Sequence, residues 1–258
     1  MINIFRADLY RIFRGKGIYI TFLALLGYIG MIIAANMAGD IILPFVDAAA
    51  DVQLNGANST YLLFANTMLL PFFIMPLFFV VTAPIFHEGT AKNEVSWGIS
   101  RVRLYISRLI LVAVLCMMLY VFYIGAGMLA ATLVGGFGYM SEGFWINLLL
   151  VMGAHLFMLI AASWFGVFLV FSFKVFYAIE FAYMGVLMGP LLVSAIFMGA
   201  NVDAGFLLNF DFMTNFMALG FLREMNVYET LASLAIGAAL LVVSTAAGLV
   251  KFIKAEIK

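Results

Sequence analysis

The sequence predicts an all-α, polytopic membrane helix bundle, and three observations carry that prediction. Of its residues 66% are apolar and 10% charged, against about 45–50% and about 25% in ordinary soluble domains. The mean hydropathy is +1.16, more apolar surface than a water-soluble fold of this size can hide. The apolar residues also fall into six runs of about 20 or more, the length an α-helix needs to cross a hydrocarbon core of about 30 Å. A β-barrel would need short alternating strands instead of unbroken runs.

The chain opens with "MINIFRADLYRIFRGKG". Ile2, Phe5, Leu9, Ile12 and Phe13 fall on one side at helical spacing, with Arg6, Arg11 and Arg14 beside or opposite them. This pattern predicts an interfacial helix on the membrane surface, where each basic residue near anionic lipid contributes about 1 kcal/mol. A signal peptide is the competing reading. The apolar run that follows is long enough to span and lacks a small-residue cleavage site, so it is expected to be retained.

The six spans are predicted at 17–37, 61–86, 108–134, 145–172, 175–199 and 230–250. With both termini cytoplasmic, twelve of the 13 basic residues lie on the inner side and only Arg223 outside, a strong positive-inside asymmetry. Pro71, Pro76 and Pro84 predict a kinked or wide second span. Between spans 5 and 6 lies "NVDAGFLLNFDFMTNFMALGFLREMNVYE", too polar to cross and too apolar for a solvated loop. Re-entrant or interfacial helices fit it, since an aspartate such as Asp211 at mid-bilayer costs roughly 2.5–3.5 kcal/mol. No composition break divides the chain, so residues 1–258 are read as a single transmembrane domain.

Little points to catalysis. "HE" at His87 and Glu88 is followed by Ala91, not the second histidine of a zinc-protease helix, and no GxxxxGK[ST] phosphate loop occurs. The chain is therefore expected to be no enzyme and to bind neither metal nor cofactor. Its zero formal charge gives no sign of a nucleic-acid partner, and one cysteine, Cys116, allows no intrachain disulfide.

Two ionisable residues fall within spans. His155 in span 4 and Glu180 in span 5 are pathway candidates because intramembrane ionisable groups are often functional; the competing reading is a histidine satisfied by a neighbouring helix and a structural acid facing the bundle. Gly185 and Gly189 form a GxxxG ahead of Pro190, which permits close helix approach at a subunit boundary. Pro71 and Pro76 join these four residues as candidates for the pathway or a dimer axis.

The charge missing elsewhere gathers in "FHEGTAKNEVSWGISRVRLYISRLI", residues 86–110. Positive-inside topology accounts for its arginines. A Gly-Thr break followed by "AKNEVSW", with Val95 and Trp97 to bury, predicts a short amphipathic helix that docks another protein.

This segment resembles the signature between spans 2 and 3 of ABC type-2 exporter permeases: an acid, Gly-Thr, a nearby lysine, then two Ser-basic pairs. The matching positions are Glu88, Gly89, Thr90, Lys92, Ser100, Arg101, Ser107 and Arg108. "RADLYRIFRGKG" before span 1 is similar to the entry of those permeases. The likeness is nearest to small six-span permeases of bacterial peptide-export and lantibiotic-immunity systems.

The resemblance implies a multi-pass cell-membrane subunit, in the bacterial inner or sole plasma membrane, that pairs with a second permease chain. It implies two separately encoded ATPase subunits, which would carry the ATP and Mg. The helix after span 2 would be a coupling helix docked through Glu88, Gly89, Thr90, Lys92, Glu94 and Arg101. The cargo would be amphipathic or antimicrobial peptides moved outward, for export, immunity or resistance. The alternative is a stand-alone ion-coupled transporter or channel using His155 and Glu180.

Overall fold

The computed structural model describes residues 2–38, 54–87, 96, 98–140, 142–173, 175–200, 202–203, 205–222 and 225–254. Every regular element among them is helical. In chain order they are α1 (Ile2–Arg14), α2 (Lys16–Ala38), α3 (Ser59–Ala65), α4 (Leu70–His87), α5 (Arg101–Gly135), α6 (Phe144–Ser172), α7 (Phe176–Gly199), α8 (Phe212–Ala218) and α9 (Val227–Lys254). A 3-10 turn, Gly205–Phe210, precedes α8, and another, Leu219–Phe221, follows it.

Five helices are long and apolar enough to cross a membrane: α2, α5, α6, α7 and α9. The pair α3–α4 makes a sixth crossing if its two parts count as one span. The chain is a multi-pass membrane protein by this architecture.

The second predicted span, 61–86, is not continuous. Ser59–Ala65 and Leu70–Thr82 are bent by 71° at a short break. The break comes ahead of the prolines and has local causes. Pro71 has no N–H for the Thr67 carbonyl and its ring crowds that carbonyl, so a helix cannot run through undisturbed. Asn66 and Thr67 turn their side chains onto the preceding helix instead. Asn66 Nδ2 donates to the Leu62 carbonyl at 2.9 Å and Thr67 Oγ1 to the Phe64 carbonyl at 3.0 Å. The new helix then starts with the Leu70 N–H on the Thr67 carbonyl at 2.9 Å.

The third span is longer than its apolar window. The window opens at 108, but α5 starts at Arg101, where Ser100 caps the helix by accepting the Arg103 N–H at 3.4 Å. A serine at this position satisfies one of the donors a helix start leaves open. The helix therefore carries Arg101, Arg103 and Arg108 on its first two turns.

Helix α6 lies at the centre, packed against α4, α5, α7 and α9. On its packed face, toward α5, α6 and α8, α9 buries Ser233, Gly237, Ser244 and Gly248. A methyl group on Gly248 would overlap the Tyr105 hydroxyl of α5, and one on Gly237 would overlap the Met158 sulfur of α6. Close approach over small residues is how apolar helices gain packing where lipid supplies no hydrophobic drive. By contrast, Gly185 and Gly189 of α7 have open space where a Cβ would sit.

Candidate functional site

Several polar constructions stand out in this apolar bundle. At the end carrying α1, Asp8 pairs with Arg108 of α5 and with Arg11 one turn on, the latter at 3.3 Å. Arg108 is 0% exposed and Asp8 6%. A charge taken this far out of water must be paired, because the desolvation penalty is several kcal/mol per ion. Asp8 lies at the edge of the inner face of α1, three residues after Phe5 and four before Ile12 and so on the same side of the helix as both. Phe5 and Leu9 pack against the core, and Ile12 is part of it.

The same end is tied a second time. Arg101 Nη1 donates to the Ile253 carbonyl in the last turn of α9 at 2.7 Å. A cation here also meets the negative end of the α9 dipole. The first two turns of α5 thus hold both α1 and the end of α9. Tyr19 of α2 closes the group by donating to the Phe13 carbonyl of α1 at 2.8 Å.

In the middle turns of α6 His155 is 0% exposed, with Nδ1 2.8 Å from the Tyr120 hydroxyl of α5 and Nε2 2.9 Å from the Phe216 carbonyl of α8. A carbonyl only accepts, so Nε2 carries the proton, and the neutral ring satisfies both partners when Tyr120 donates to Nδ1. The ring also packs on Phe64 of α3 and Phe216, with centroids 5.6 and 4.8 Å away. Three separate helices and the broken span meet on this one side chain.

Around it the region before α9 is built on Asp211 and Asn215. Asp211 is 0% exposed and caps α8, Oδ2 accepting from the Thr214 N–H at 2.7 Å and the Thr214 hydroxyl at 2.9 Å. Its Oδ1 accepts the Leu191 N–H of α7 at 3.1 Å, at the residue after the helix-disrupting Pro190. Asn215 accepts from Ser233 of α9 at 2.8 Å and donates to the Asp211 carbonyl at 2.7 Å. Asp211 and Asn215 between them fasten α8 to both α7 and α9. At the start of α9, Asn226 and Glu229 form a reciprocal capping box, with bonds of 3.0 and 2.9 Å.

The break in α3–α4 is sealed by tyrosines from three helices. Tyr28 of α2 donates to the Asn66 carbonyl at 2.7 Å. Tyr123 of α5 donates to the Leu63 carbonyl at 2.8 Å and lies 3.2 Å from that of Asn66. Tyr183 of α7 donates to the Pro71 carbonyl at 3.0 Å. Backbone groups released by a broken helix inside a bundle have to be met by neighbouring helices, and these hydroxyls meet them.

Of the predicted docking residues, Glu88, Gly89, Thr90, Lys92 and Glu94 lie outside the described residues, as do Val95 and Trp97. Arg101 is described and reaches α9. Of the predicted surface anchors, Arg6 and Arg14 are exposed, Arg14 lying against the Tyr10 ring, whereas Arg11 turns inward to Asp8. Pro71 is buried, Pro76 exposed and Glu180 half-buried. No group of three or more His, Cys, Asp or Glu that could hold a metal occurs among the described residues.

Sequence reasoning passed over Asp8 and the three tyrosines. Asp8 carried a readable signal, since it is the only acid before Asp40 and falls on the apolar stripe of α1. Compared with family models, curated proteins and solved structures, the chain matches none.

Proposed function

We propose that the chain is the membrane-spanning permease subunit of an ATP-driven exporter that moves amphipathic peptides or similarly hydrophobic cargo. One observation carries this reading. The mixed-charge segment 86–110, with the ordered pattern Glu88, Gly89-Thr90, Lys92, Ser100-Arg101 and Ser107-Arg108, includes the turns of α5 that are fastened to α1 by Arg108 and to α9 by Arg101. A partner pushing on that segment would move three helices together, as the coupling helix of such a permease must.

The missing phosphate loop agrees with hydrolysis on a separate chain, to which ATP and Mg would bind. Two such ATPase chains and a second permease chain would complete the transporter. The stand-alone ion-coupled alternative draws less support, because both ring nitrogens of His155 are held in bonds within the bundle.

The test is affinity purification of the tagged chain in mild detergent from cells expressing its neighbouring genes, followed by an ATPase assay. A stoichiometric ATPase subunit is expected, and Glu88→Lys should release it while leaving the bundle folded. Arg101→Glu should release it too, with an added loss of stability because Arg101 also holds α9. A chain that purifies alone, with no nucleotide turnover, would sink the proposal.

A further inference from the structure

The broken span is more than a kink, because the oxygens the tyrosines hold are the ones a continuous helix would use. In an unbroken helix through 59–87, the Leu63 carbonyl would accept from the Thr67 N–H and the Asn66 carbonyl from the Leu70 N–H, each four residues on. In the structure Tyr123 bonds the Leu63 oxygen, which also accepts the Asn66 N–H at 3.2 Å, and Tyr28 bonds the Asn66 oxygen, while the Leu70 N–H has gone to Thr67. A carbonyl oxygen can accept two bonds, so the contested group is the Leu70 N–H, which serves Thr67 in the broken form and Asn66 in the joined one, the condition for a two-state element.

The lengths permit both states. Helix α4 alone has 18 residues, about 27 Å at 1.5 Å per residue, enough for one crossing. Joined through the break, residues 59–87 would make a helix as long as α6 or α9, which have 29 and 28 residues. Pro71 penalises the joined form without forbidding it, since proline kinks occur in membrane helices.

We propose that α3–α4 is a switchable span, held in its broken form by the hydroxyls of Tyr28 and Tyr123 and by Pro71. Straightening it would swing α3 away from its present place. Helix α3 is not free to move alone: Phe64 packs on the His155 ring, and its backbone lies so close to Gly220 that a methyl there would meet the Phe64 carbonyl at 3.0 Å. The swing would displace the turn after α8 and loosen the cover that α8 forms beside His155. The inference goes beyond the exporter reading and stands on the chain alone, so its test needs no ATPase and no cargo.

The experiment places spin labels on the full chain in lipid nanodiscs, at Tyr61→Cys on α3 and Trp145→Cys at the start of α6, both exposed positions, in a Cys116→Ala background. The parent should give one distance. Tyr28→Phe with Tyr123→Phe should add a second, distinct distance, and so should Pro71→Ala, which removes the penalty on the joined helix. Tyrosines that only stabilise the fold would lower the melting temperature and leave the distance alone. If the double tyrosine variant does not fold, Pro71→Ala decides the matter. A parent-like single distance in every variant that folds overturns the proposal, and a new distance in any of them supports it.

Discussion

Asp8 of the first helix and Arg108 of the fifth form an ion pair in which the arginine has no exposed surface and the aspartate almost none. A short amphipathic helix held only by greasy side chains could slide over the bundle. This one is pinned at a defined point, two turns into α5.

The pair predicts an asymmetric mutational response. Asp8→Ala removes the carboxylate from beside a buried cation and should cost about 3–5 kcal/mol. Replacing both partners by apolar side chains, Asp8→Leu with Arg108→Met, should recover most of that loss, because two desolvated charges disappear together. Thermal unfolding in detergent checks both. A double variant as unstable as Asp8→Ala would mean that the charge itself is required.

His155→Ala should loosen the end of the bundle carrying α8. It removes bonds to Tyr120 and Phe216 and leaves both partners buried, at a cost of about 1–3 kcal/mol. Hydrogen exchange of the amides of residues 212–221 should rise in the variant, while exchange in the first turns of α5 stays as it was. Uniform change along the chain would argue against a local role.

Gly248→Ala should cost about 1–3 kcal/mol, since the added methyl meets the Tyr105 hydroxyl and forces one helix outward. Tyr105→Phe removes the obstructing oxygen, so the two substitutions together should cost less than their sum. Strict additivity in a double-mutant cycle would contradict the packing described.

Asp211→Ala should be worse than Asn226→Ala, although both residues cap helices. Removing the Asn226 side chain loses an exposed cap, about 0.5–2 kcal/mol. Removing the Asp211 carboxylate leaves the Thr214 and Leu191 N–H groups without it inside the bundle, at about 1–3 kcal/mol for each buried donor. Unfolding midpoints of the two variants, measured side by side, give the order.

The sequence made the long helices legible because each is an unbroken apolar run, and such a run has one stable form in lipid. Helices at 16–38, 144–172 and 176–199 lie within a residue of their apolar windows. The start of α5 was less legible, because a helix outlasts its hydrophobic stretch when a serine such as Ser100 caps it earlier. Pro71 announced trouble in the second span, yet the tyrosines that meet the carbonyls at the break, Tyr28, Tyr123 and Tyr183, are remote in sequence. The same limit applies to Asp8. Its place on the apolar stripe of α1 called for a cationic partner, but nothing local selects Arg108 among the many basic residues. Which polar groups meet is decided by tertiary packing, and a single sequence carries the need for a partner more clearly than its address.

The Asp8–Arg108 pair also constrains how the protein is made. Synthesis delivers α1 first, but Arg108 follows only after α2, α3 and α4 have been translated, and the Arg101–Ile253 bond waits for the end of α9. Helix α1 must therefore wait without the partner of its aspartate while α2, α3 and α4 are made. The end of the bundle that begins the chain is the last to be completed, so a truncation that spares α1 through α7 still leaves that end unfinished.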